Sequence, residues 1–362
     1  MKLLHLATHG SVTRGGAVQM VRLALALASR GHRVKAIFNR RRVEEVDGVS
    51  VLTDGGVEVE ALPLEPLSPR NLLALRRMVL EEGFQVVHTH RDPALKFAYL
   101  ALWNTEIPLV AQRGTTYRPK GIIPFILRSR GVARIVAVAH AVKKVLVREG
   151  VPEEKVVVVY GSVDTDRFHP GVAGGKVREE LAVSPGAPVV GMVAALVGKK
   201  GYPLFLESCR KVSERLGQLH VLMVGAGRPS KFSKETAPLG TRAHFTGHRE
   251  DVEMYIAAMD VVVCTSTKGE GLTGSLREAM ALAKPVVSTT VSGNPEAVIP
   301  GKTGVLVPVG DEDALAQALM CLLSSPALAK RLGLIGRRLA LRIFPDSKRA
   351  RVMEALYREV VR

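Results

Sequence analysis

A chain of 362 residues is longer than one ordinary hydrophobic core supports, so we expect two domains. Hydrophobic residues make up 47% of the chain, no apolar run is long enough to span a bilayer, and the three scattered cysteines argue against a disulfide framework or a zinc cluster. The 51 Lys and Arg residues outnumber the 34 Asp and Glu residues, and this net charge of +17 predicts a polyanionic partner.

The amino terminus predicts a β-strand, a glycine turn and a helix. Residues 2–7 alternate as a strand does, and the segment lacks the cleavage region of a signal peptide, so we expect the protein to stay in the cytoplasm. Gly15 and Gly16 precede a helix predicted over residues 17–29. Paired glycines at the start of a helix let the backbone approach a phosphate closely, and they are equally typical of a tight bend.

Two histidines stand at the end of a later strand. The pattern predicts a strand over residues 56–61, a helix over residues 68–82 and a strand over residues 84–88. His88 and His90 are two residues apart, which is the spacing of half a metal site on one face of a strand. The sequence indicates no third ligand, so we interpret the two histidines as the polar lining of a cleft or as a structural pair.

A basic and apolar segment follows the strand predicted over residues 108–112. Between residues 117 and 134 the chain intersperses five cations with apolar side chains: Arg118, Lys120, Arg128, Arg130 and Arg134 with Ile122, Ile123, Phe125, Ile126 and Leu127. This pattern is typical of a helix at a membrane surface and equally of a partly buried helix with a solvated basic face. Because the chain has no nucleic-acid-binding motif, the net charge favours an anionic membrane surface over nucleic acid.

The alternation of strands and helices continues to the end of the chain. Residues 164–175 contain Pro170 and three glycines, as a linker does. Further strands are predicted on both sides of this linker, over residues 135–138, 189–196, 220–224 and 244–246. We therefore expect an α/β protein with two Rossmann-like, doubly wound parallel-sheet domains that face each other across a cleft.

The domain limits follow from the linker. We expect a first domain over residues 1–165 and a second domain over residues 166–344, followed by an amphipathic helix over residues 345–362.

The most informative pattern is the strand, loop, helix and strand over residues 261–289. Glu270 lies in the predicted loop and Glu278 near the start of the predicted helix, so both carboxylates can reach one crevice, with the first N–H groups of the helix between them. Carboxylates suit the hydroxyls of a sugar and a ribose, and backbone donors suit a diphosphate. The structural alternative is that Ser275 and Glu278 form a capping box and that Glu270 is a solvated loop acid.

Residues 270–289, EGLTGSLREAMALAKPVVST, resemble the E-x7-E region of the retaining group 1 glycosyltransferases with the GT-B fold. In that family the first glutamate meets the donor sugar and the second meets the ribose, which assigns these roles to Glu270 and Glu278. The resemblance also implies that Gly15 and Gly16 face the donor diphosphate. It extends over nearly the whole chain, and it implies that the first domain binds the acceptor and the second binds the nucleotide sugar. In this fold the last helix, here residues 345–362, is expected to pack back on the first domain.

The resemblance implies further donor-binding and catalytic residues. The family places an Arg and a Lys in the turn after the first strand of the second domain, where a cation neutralises the leaving diphosphate. Lys200 matches the Lys, Ala195 stands in place of the Arg, and Lys199 can substitute for it. Many relatives have a histidine where this chain has Arg113, which stays protonated and is therefore expected to hold an anionic acceptor or the sugar rather than to act as a base.

The remaining donor contacts follow from the same resemblance. The diphosphate is expected over the start of the helix and the base in the loop after the strand at residues 244–246. The residues expected to contact the diphosphate are Gly274, Ser275 and Leu276, and those expected near the base are Gly247, His248 and Arg249.

Together these residues imply a retaining glycosyltransferase that moves a sugar from a UDP, GDP or ADP sugar to a lipid-linked or cell-envelope saccharide such as lipopolysaccharide, at the inner face of the cytoplasmic membrane. No Asp-x-Asp motif stands in a suitable loop, so we expect no metal and no other cofactor. The alternatives are a sugar-nucleotide epimerase or a phosphorylase of the same fold, or a non-catalytic protein that binds polyanions. No nucleic acid partner is expected.

Overall fold

The structure is a computed structural model that describes residues 1–8, 12, 16–65 and 68–361. It divides into two compact units, Met1–Ser162 with Asp346–Arg362, and Val163–Pro345. The last helix therefore belongs to the first unit, and the change of unit after Ser162 lies close to the boundary expected at residue 165.

Within the described residues, thirteen β-strands follow the chain in this order: β1 Lys2–Ala7, β2 Arg33–Phe38, β3 Glu58–Ala61, β4 Val86–His90, β5 Leu109–Arg113, β6 Val132–Ala137, β7 Val156–Val158, β8 Val189–Val193, β9 His220–Val224, β10 Ala243–Gly247, β11 Val261–Cys264, β12 Val286–Thr289 and β13 Val305–Val307.

The same residues form fourteen α-helices: α1 Gly16–Ala28, α2 Ser50–Asp54, α3 Pro69–Glu81, α4 Asp92–Ala101, α5 Ile123–Arg128, α6 His140–Arg148, α7 Gly175–Glu180, α8 Tyr202–Leu216, α9 Ser233–Thr236, α10 Val252–Ala258, α11 Gly274–Ala281, α12 Glu312–Ser324, α13 Pro326–Ile343 and α14 Asp346–Val361.

Each unit is built on one parallel sheet. The strand order is β3-β2-β1-β4-β5-β6-β7 in the first unit and β10-β9-β8-β11-β12-β13 in the second. Both orders are those of doubly wound, Rossmann-like domains, and they reverse between β1 and β4 and between β8 and β11. Ligands of such sheets bind beyond the carboxyl ends of the strands at this reversal. The loops after β8 and β11 are therefore the expected ligand loops of the second unit.

The strands are short apolar runs because helices cover both faces of a parallel sheet. All four side chains of β11 are buried, as are all five of β9. Helix α8 packs an apolar stripe against this sheet, with buried residues that include Phe205, Cys209 and Val212. Full burial of a side chain as large as Phe205 stabilises a fold by about 1.5–3 kcal/mol.

The first unit is closed by the last helix. Helix α14 packs on α1 and β4, and its Met353 and Tyr357 join the same buried cluster as side chains of β1 and β4. At its first turn Asp346 accepts a hydrogen bond of 2.6 Å from Arg22 of α1. The carboxyl-terminal segment is thus part of the core of the first unit.

Several strands of the first unit differ in their bounds from the sequence-based expectation; β6, for example, begins at Val132 rather than at residue 135. Strand β4 begins at Val86 rather than at residue 84, because Gly83 and Phe84 cap α3: the Gly83 N–H donates to Leu80 and the Phe84 N–H to Val79. This is the hydrogen-bond pattern of a Schellman motif. The basic and apolar segment contains one short helix, α5, in which Ile123, Ile126 and Leu127 are buried.

A third histidine lies beside His88 and His90, which corrects the expectation that no third ligand is present. His5 of β1 pairs in register with His88 of β4, and its Nδ1 lies 3.0 Å from Nε2 of His90. All three side chains are at most 2% exposed. They are buried inside the first unit, which favours the structural interpretation of these histidines.

In the part of the chain that the structure describes, no single helix has both the length and the apolar composition to cross a membrane. Helices α12 and α13 pass such a test only as a pair, and the pair is bent by 102°.

Candidate functional site

Two loops meet at the carboxyl edge of the second sheet, where the strand order reverses. The first continues β8 into a single 3-10 turn, Gly198–Lys200, and the second runs from Thr265 to Thr273 between β11 and α11. The backbone oxygen of Lys199 accepts a hydrogen bond of 2.8 Å from the Thr267 N–H, and the Thr265 hydroxyl donates to the oxygen of Lys200 over 2.9 Å. These bonds hold the two loops side by side.

Gly201 permits this close approach. Its φ angle is +73°, and a Cβ atom built on it would lie 2.1 Å from the backbone oxygen of Thr265. A side chain at this position would meet both the steric penalty of a left-handed backbone and a clash with rigid backbone. Only glycine therefore fits between the two loops.

The two loops bring Lys200 and Glu270 together. Lys200 Nζ lies 2.7 Å from Glu270 Oε1, and the two side chains are only 17% and 14% exposed. The pair places a cation that can bind phosphate oxygens directly beside a carboxylate that can accept sugar hydroxyls.

A buried polar network holds the end of the second loop in place. Asn294, which is fully buried, accepts hydrogen bonds from the N–H and the hydroxyl of Thr273 at 3.1 and 2.9 Å, and its amide donates to the Ser288 hydroxyl at 3.0 Å. Asn294 thereby fixes the junction between the loop and α11. The sequence analysis did not identify it, and the only local signal is the Asn-Pro pair that opens a 3-10 turn after β12.

Helix α11 begins two residues earlier than the capping-box alternative requires. Its N-cap is Thr273, whose side chain makes no capping bond, and Ser275 lies inside the helix. Ser275 and Glu278 therefore do not form a capping box. Glu278 is half-buried, and its Oε1 would be 3.9 Å from a Cβ atom on Gly274, so its carboxylate lies along the first turn.

The start of α11 therefore offers two kinds of group to a ligand. Its first backbone N–H groups can bind an anion, and the carboxylate of Glu278 can accept hydrogen bonds from hydroxyl groups. The first N–H groups of a helix have no partner within the helix and carry a partial positive charge. Gly274 leaves space in front of them, since a Cβ atom there would meet nothing closer than 3.6 Å. The side chain of Leu276 is buried against the sheet, so this residue can present only its backbone.

The loop expected near the base follows β10 at the same edge of the sheet. Gly247 and His248 are exposed, and Gly247 has a φ angle of +73°. Arg249 lies over the ring of Tyr255, with its guanidinium carbon 4.6 Å from the ring centre, and donates to Asp251. Ala195, in place of the family's arginine, is exposed, and Lys199 is half-buried.

The remaining predicted residues belong to the first unit. Gly15 lies outside the described residues, and Gly16 is the exposed first residue of α1. Arg113 ends β5, is 6% exposed, forms an ion pair with Asp92 and donates from Nη2 to the backbone oxygen of Tyr117 at 3.1 Å. Its guanidinium therefore also braces the loop that follows β5.

Two family models match the chain, one in each half. The model described as "Glycosyltransferase Family 4" matches residues 13–167, and the model described as "Glycosyl transferases group 1" matches residues 187–325. The second match contains both Lys200 and Glu270, and together the two matches extend over most of the chain.

Two curated relatives illustrate the range of similar proteins. The chain is 32% identical over 191 residues to the GDP-mannose-dependent alpha-(1-6)-phosphatidylinositol monomannoside mannosyltransferase of Mycolicibacterium smegmatis, covering 49% of this chain and 50% of that protein. It is 34% identical over 185 residues to the putative colanic acid biosynthesis glycosyltransferase WcaL of Escherichia coli, covering 48% of this chain and 43% of that protein. These alignments span about half the length of the relatives.

A solved structure shows the same fold over the whole chain. The crystal structure of Anabaena Alr3699/HepE in complex with UDP superposes with a TM-score of 0.85 and 22% sequence identity, covering 98% of this chain and 99% of that one. The two Rossmann-like units, the two family matches and this superposition agree, and the chain belongs to the group 1 glycosyltransferases with the GT-B fold.

Proposed function

We propose that this protein is a retaining glycosyltransferase that moves a sugar from a nucleotide-diphosphate sugar to a saccharide acceptor. The observation that carries the proposal is the pairing of Lys200 with Glu270 at the ligand edge of the second sheet. In the absence of donor the two side chains neutralise each other. A bound donor would replace this pair, because its diphosphate would take the ammonium group and its sugar hydroxyls would take the carboxylate.

The rest of the donor follows from the surroundings of that pair. The diphosphate would lie over Gly274 and Ser275, with the ribose hydroxyls at Glu278 and the base near Gly247 and His248. Relatives support a nucleotide-sugar donor: one is named as GDP-mannose-dependent, and a protein with this fold was crystallised with UDP. The donor nucleotide would be UDP, GDP or ADP, and the loop after β10 would determine which base is bound.

The reaction breaks the bond between the anomeric carbon and a phosphate oxygen and forms a bond to an acceptor oxygen. Negative charge develops on the departing diphosphate, and Lys200 with the start of α11 would stabilise it. The departing phosphate would receive the proton of the acceptor hydroxyl, so no base and no protein nucleophile is needed. On this account catalysis requires no metal ion. Arg113 would hold an anionic group of the acceptor or the sugar by exchanging its ion pair with Asp92 for that group.

We propose a lipid-linked or cell-envelope saccharide as the acceptor and the inner face of the cytoplasmic membrane as the place of reaction. The names of the two relatives, which refer to a phosphatidylinositol mannoside and to colanic acid, support this class. An exposed apolar surface around α5 supports a membrane contact, with Ile122 47% and Phe125 58% exposed among Arg118, Lys120 and Arg128.

A transfer assay tests the proposal. Purified protein is given UDP, GDP and ADP sugars with lipid-linked saccharides and lipopolysaccharide core as acceptors, and the anomeric configuration of the product is determined by NMR. We expect one donor to give a product of unchanged configuration, Glu270→Gln to lower the rate by about 10²–10³-fold, and the exposed Glu81→Gln to leave the rate unchanged.

The same assay separates the alternatives. An epimerase would change the sugar nucleotide without any acceptor, and a phosphorylase would depend on inorganic phosphate. A non-catalytic protein that binds polyanions would release no nucleotide with any donor. Any of these three results, or an inverted product, would contradict the proposed function.

A further inference from the structure

Three histidines converge on the two central strands of the first sheet. His5 of β1 is in register with His88 of β4, and His90 follows two residues later, so all three side chains project from one face. One ring nitrogen of each histidine lies within 4.8 Å of one ring nitrogen of the other two. The cluster stands beside the point at which the strand order of this sheet reverses.

Two of the ring nitrogens have no hydrogen-bond partner among the residues that the structure describes. These are Nε2 of His5 and Nε2 of His88, and neither side chain is more than 1% exposed. A buried polar atom without a partner is destabilising, and such atoms in native proteins are usually satisfied by water or an ion. The cluster thus has unused coordinating capacity in its interior.

The other nitrogen of His88 is held as a metal-ligating histidine is usually held. Its Nδ1 lies 2.6 Å from the hydroxyl oxygen of Tyr357, which is fully buried on α14. When Nδ1 carries the proton and donates to this oxygen, the lone pair is on Nε2. A hydrogen bond of this kind fixes the tautomer and the ring orientation of a ligating histidine.

The spacing also fits ligation. His5 Nδ1 and His90 Nε2 are 3.0 Å apart, and the rings of His88 and His90 have centres 4.3 Å apart. Bonds of about 2.0–2.1 Å in a tetrahedral arrangement place two nitrogens about 3.3 Å apart around a zinc ion. Rotation of the His5 ring would replace its contact with His90 by shared coordination of one ion, with the unpartnered Nε2 of His5 as its ligand atom.

Charge limits which ion can bind. Arg349 of α14 is only 4% exposed, and its positive charge acts on His5. The same positive charge opposes any cation, so only a metal that bonds strongly to imidazole is suitable, which excludes Mg²⁺ and Ca²⁺ and favours Zn²⁺.

We propose that His5, His88 and His90 form a zinc-type transition-metal site that joins β1 and β4 beneath α14. The site is separate from the nucleotide-sugar site of the second unit, and it takes one ion per chain. It is a structural site, because its three ligands are buried in the core of the first unit, and it makes no contribution to the chemistry proposed for Lys200 and Glu270.

Metal binding to the full-length chain tests the proposal. The protein is stripped with a chelator, dialysed, and titrated with Zn²⁺ and with Co²⁺, whose visible absorption reports coordination by nitrogen. We expect one equivalent of Zn²⁺ by elemental analysis, a tetrahedral Co²⁺ spectrum, and a higher melting temperature with Zn²⁺ but not with Mg²⁺.

Variants locate the bound ion. His5→Gln and His90→Gln should abolish the Co²⁺ spectrum, and Tyr357→Phe, which keeps the ring but removes the hydroxyl beside His88, should weaken Zn²⁺ binding by about 10–100-fold. His220→Gln is the matched control, because His220 forms a similar pair with His244, at 2.9 Å. It should bind Zn²⁺ as the unaltered chain does.

Two results would overturn the proposal, and neither depends on the variants' stability. The first is an unaltered chain that, although folded by circular dichroism, retains less than about 0.2 equivalents of Zn²⁺, Co²⁺, Ni²⁺ or Cu²⁺. The second is bound metal that His220→Gln removes while folded Tyr357→Phe keeps its full affinity.

Discussion

At the scale of single residues, Gly201 and Asn294 fix the positions of Lys200 and Glu270. Gly201 allows the turn after β8 to touch the backbone of Thr265, and Asn294 holds the end of the second loop through Thr273. Both act on the charged pair through the backbone. Substitutions at either residue should therefore change the stability of the second unit and its affinity for a donor together.

The contribution of Gly201 can be measured against a second glycine with a similar backbone. Gly186 has a φ angle of +80° and nothing within 4 Å of an added Cβ atom, whereas at Gly201 the φ angle is +73° and the Cβ atom would clash. We expect Gly186→Ala to cost about 1–2 kcal/mol of unfolding free energy, because of the left-handed backbone alone. Gly201→Ala should cost several times more.

Urea unfolding of both variants checks this prediction. The nucleotide affinity of Gly201→Ala should also fall, since the turn that carries Lys200 must move away from Thr265. Equal costs for the two substitutions would mean that the second loop yields easily and does not constrain Lys200.

Sequence patterns identify some of these site residues and miss others. The segment around Glu270 and Glu278 carries its own signal, because the strand, the loop and the helix are contiguous. Asn294 lies 21 residues after Thr273, and its hydrogen bonds depend on how β12 returns the chain beneath the loop. The Ser275 and Glu278 spacing matched a capping box by chance, and only the observed start of α11 distinguishes the two interpretations.

At the scale of elements, the edge of the second sheet carries a titratable pair. His220 of β9 and His244 of β10 are stacked with an interplanar angle of 3°, and Nδ1 of the first lies 2.9 Å from Nε2 of the second. Burial and the charges of Arg242 and Arg178 lower the pKa of His220, and burial and His220 lower the pKa of His244. Protonation of either ring opposes the folded state.

This pair predicts a loss of stability in mild acid. The unfolded chain takes up protons near pH 6.5, where the folded rings stay neutral, so the pair contributes its full stability above that pH. The contribution falls as the pH decreases below 6.5 towards the folded pKa values. The largest possible slope is about 1.4 kcal/mol per pH unit for each histidine.

Urea unfolding between pH 8 and pH 5 in the presence of a chelator checks the prediction. His220→Gln should reduce the pH dependence, whereas His248→Gln, which alters an exposed ring, should not. An unchanged slope in His220→Gln would assign the acid sensitivity to other groups.

The elements themselves were largely predictable, and the exceptions have physical reasons. Strands β1 and β9 have the predicted bounds, whereas β8 ends at Val193 rather than at residue 196. Strand β4 begins later than its apolar run suggests, because the Phe84 N–H donates a hydrogen bond to Val79 and so caps the end of α3. His5 lies beside His88 and His90, which come 83 and 85 residues later in the chain, because β1 and β4 pair in this register. No local sequence pattern predicts such a pairing.

At the scale of the whole molecule, the net charge of +17 and the exposed surface around α5 support the proposed membrane contact. Cations near an anionic surface contribute about 1 kcal/mol each and are screened by salt. We expect the protein to sediment with vesicles that contain anionic lipid, less so at high salt, and not with purely zwitterionic vesicles.

A matched pair of variants distinguishes vesicle binding through the α5 surface from binding through the net charge of the chain. Ile122 and Leu73 are both 47% exposed in the first unit, but only Ile122 adjoins α5. Ile122→Ser should reduce vesicle binding and Leu73→Ser should not. Equal binding of the two variants, or equal binding to the two kinds of vesicle, would contradict a membrane contact at α5.

The fold of the whole chain was predictable because both halves repeat the alternation of strands and helices that a doubly wound sheet requires. The chemical identity of base, sugar and acceptor was not, because exposed loops such as the one at Gly247 and His248 specify them. The sequences of such loops show no hydrophobic periodicity and are not constrained by packing in the core.

The central claim is that the second unit binds the donor's diphosphate and ribose between Lys200 and Glu278. Calorimetric titration with UDP, GDP and ADP tests it most directly, with Glu278→Ala, Lys200→Ala and, as a control for net charge, the exposed Lys268→Ala. We predict that one nucleotide binds, that Glu278→Ala and Lys200→Ala each weaken it at least about tenfold, and that Lys268→Ala does not. Binding of none of the three nucleotides, or full affinity in Glu278→Ala and Lys200→Ala, would contradict the account.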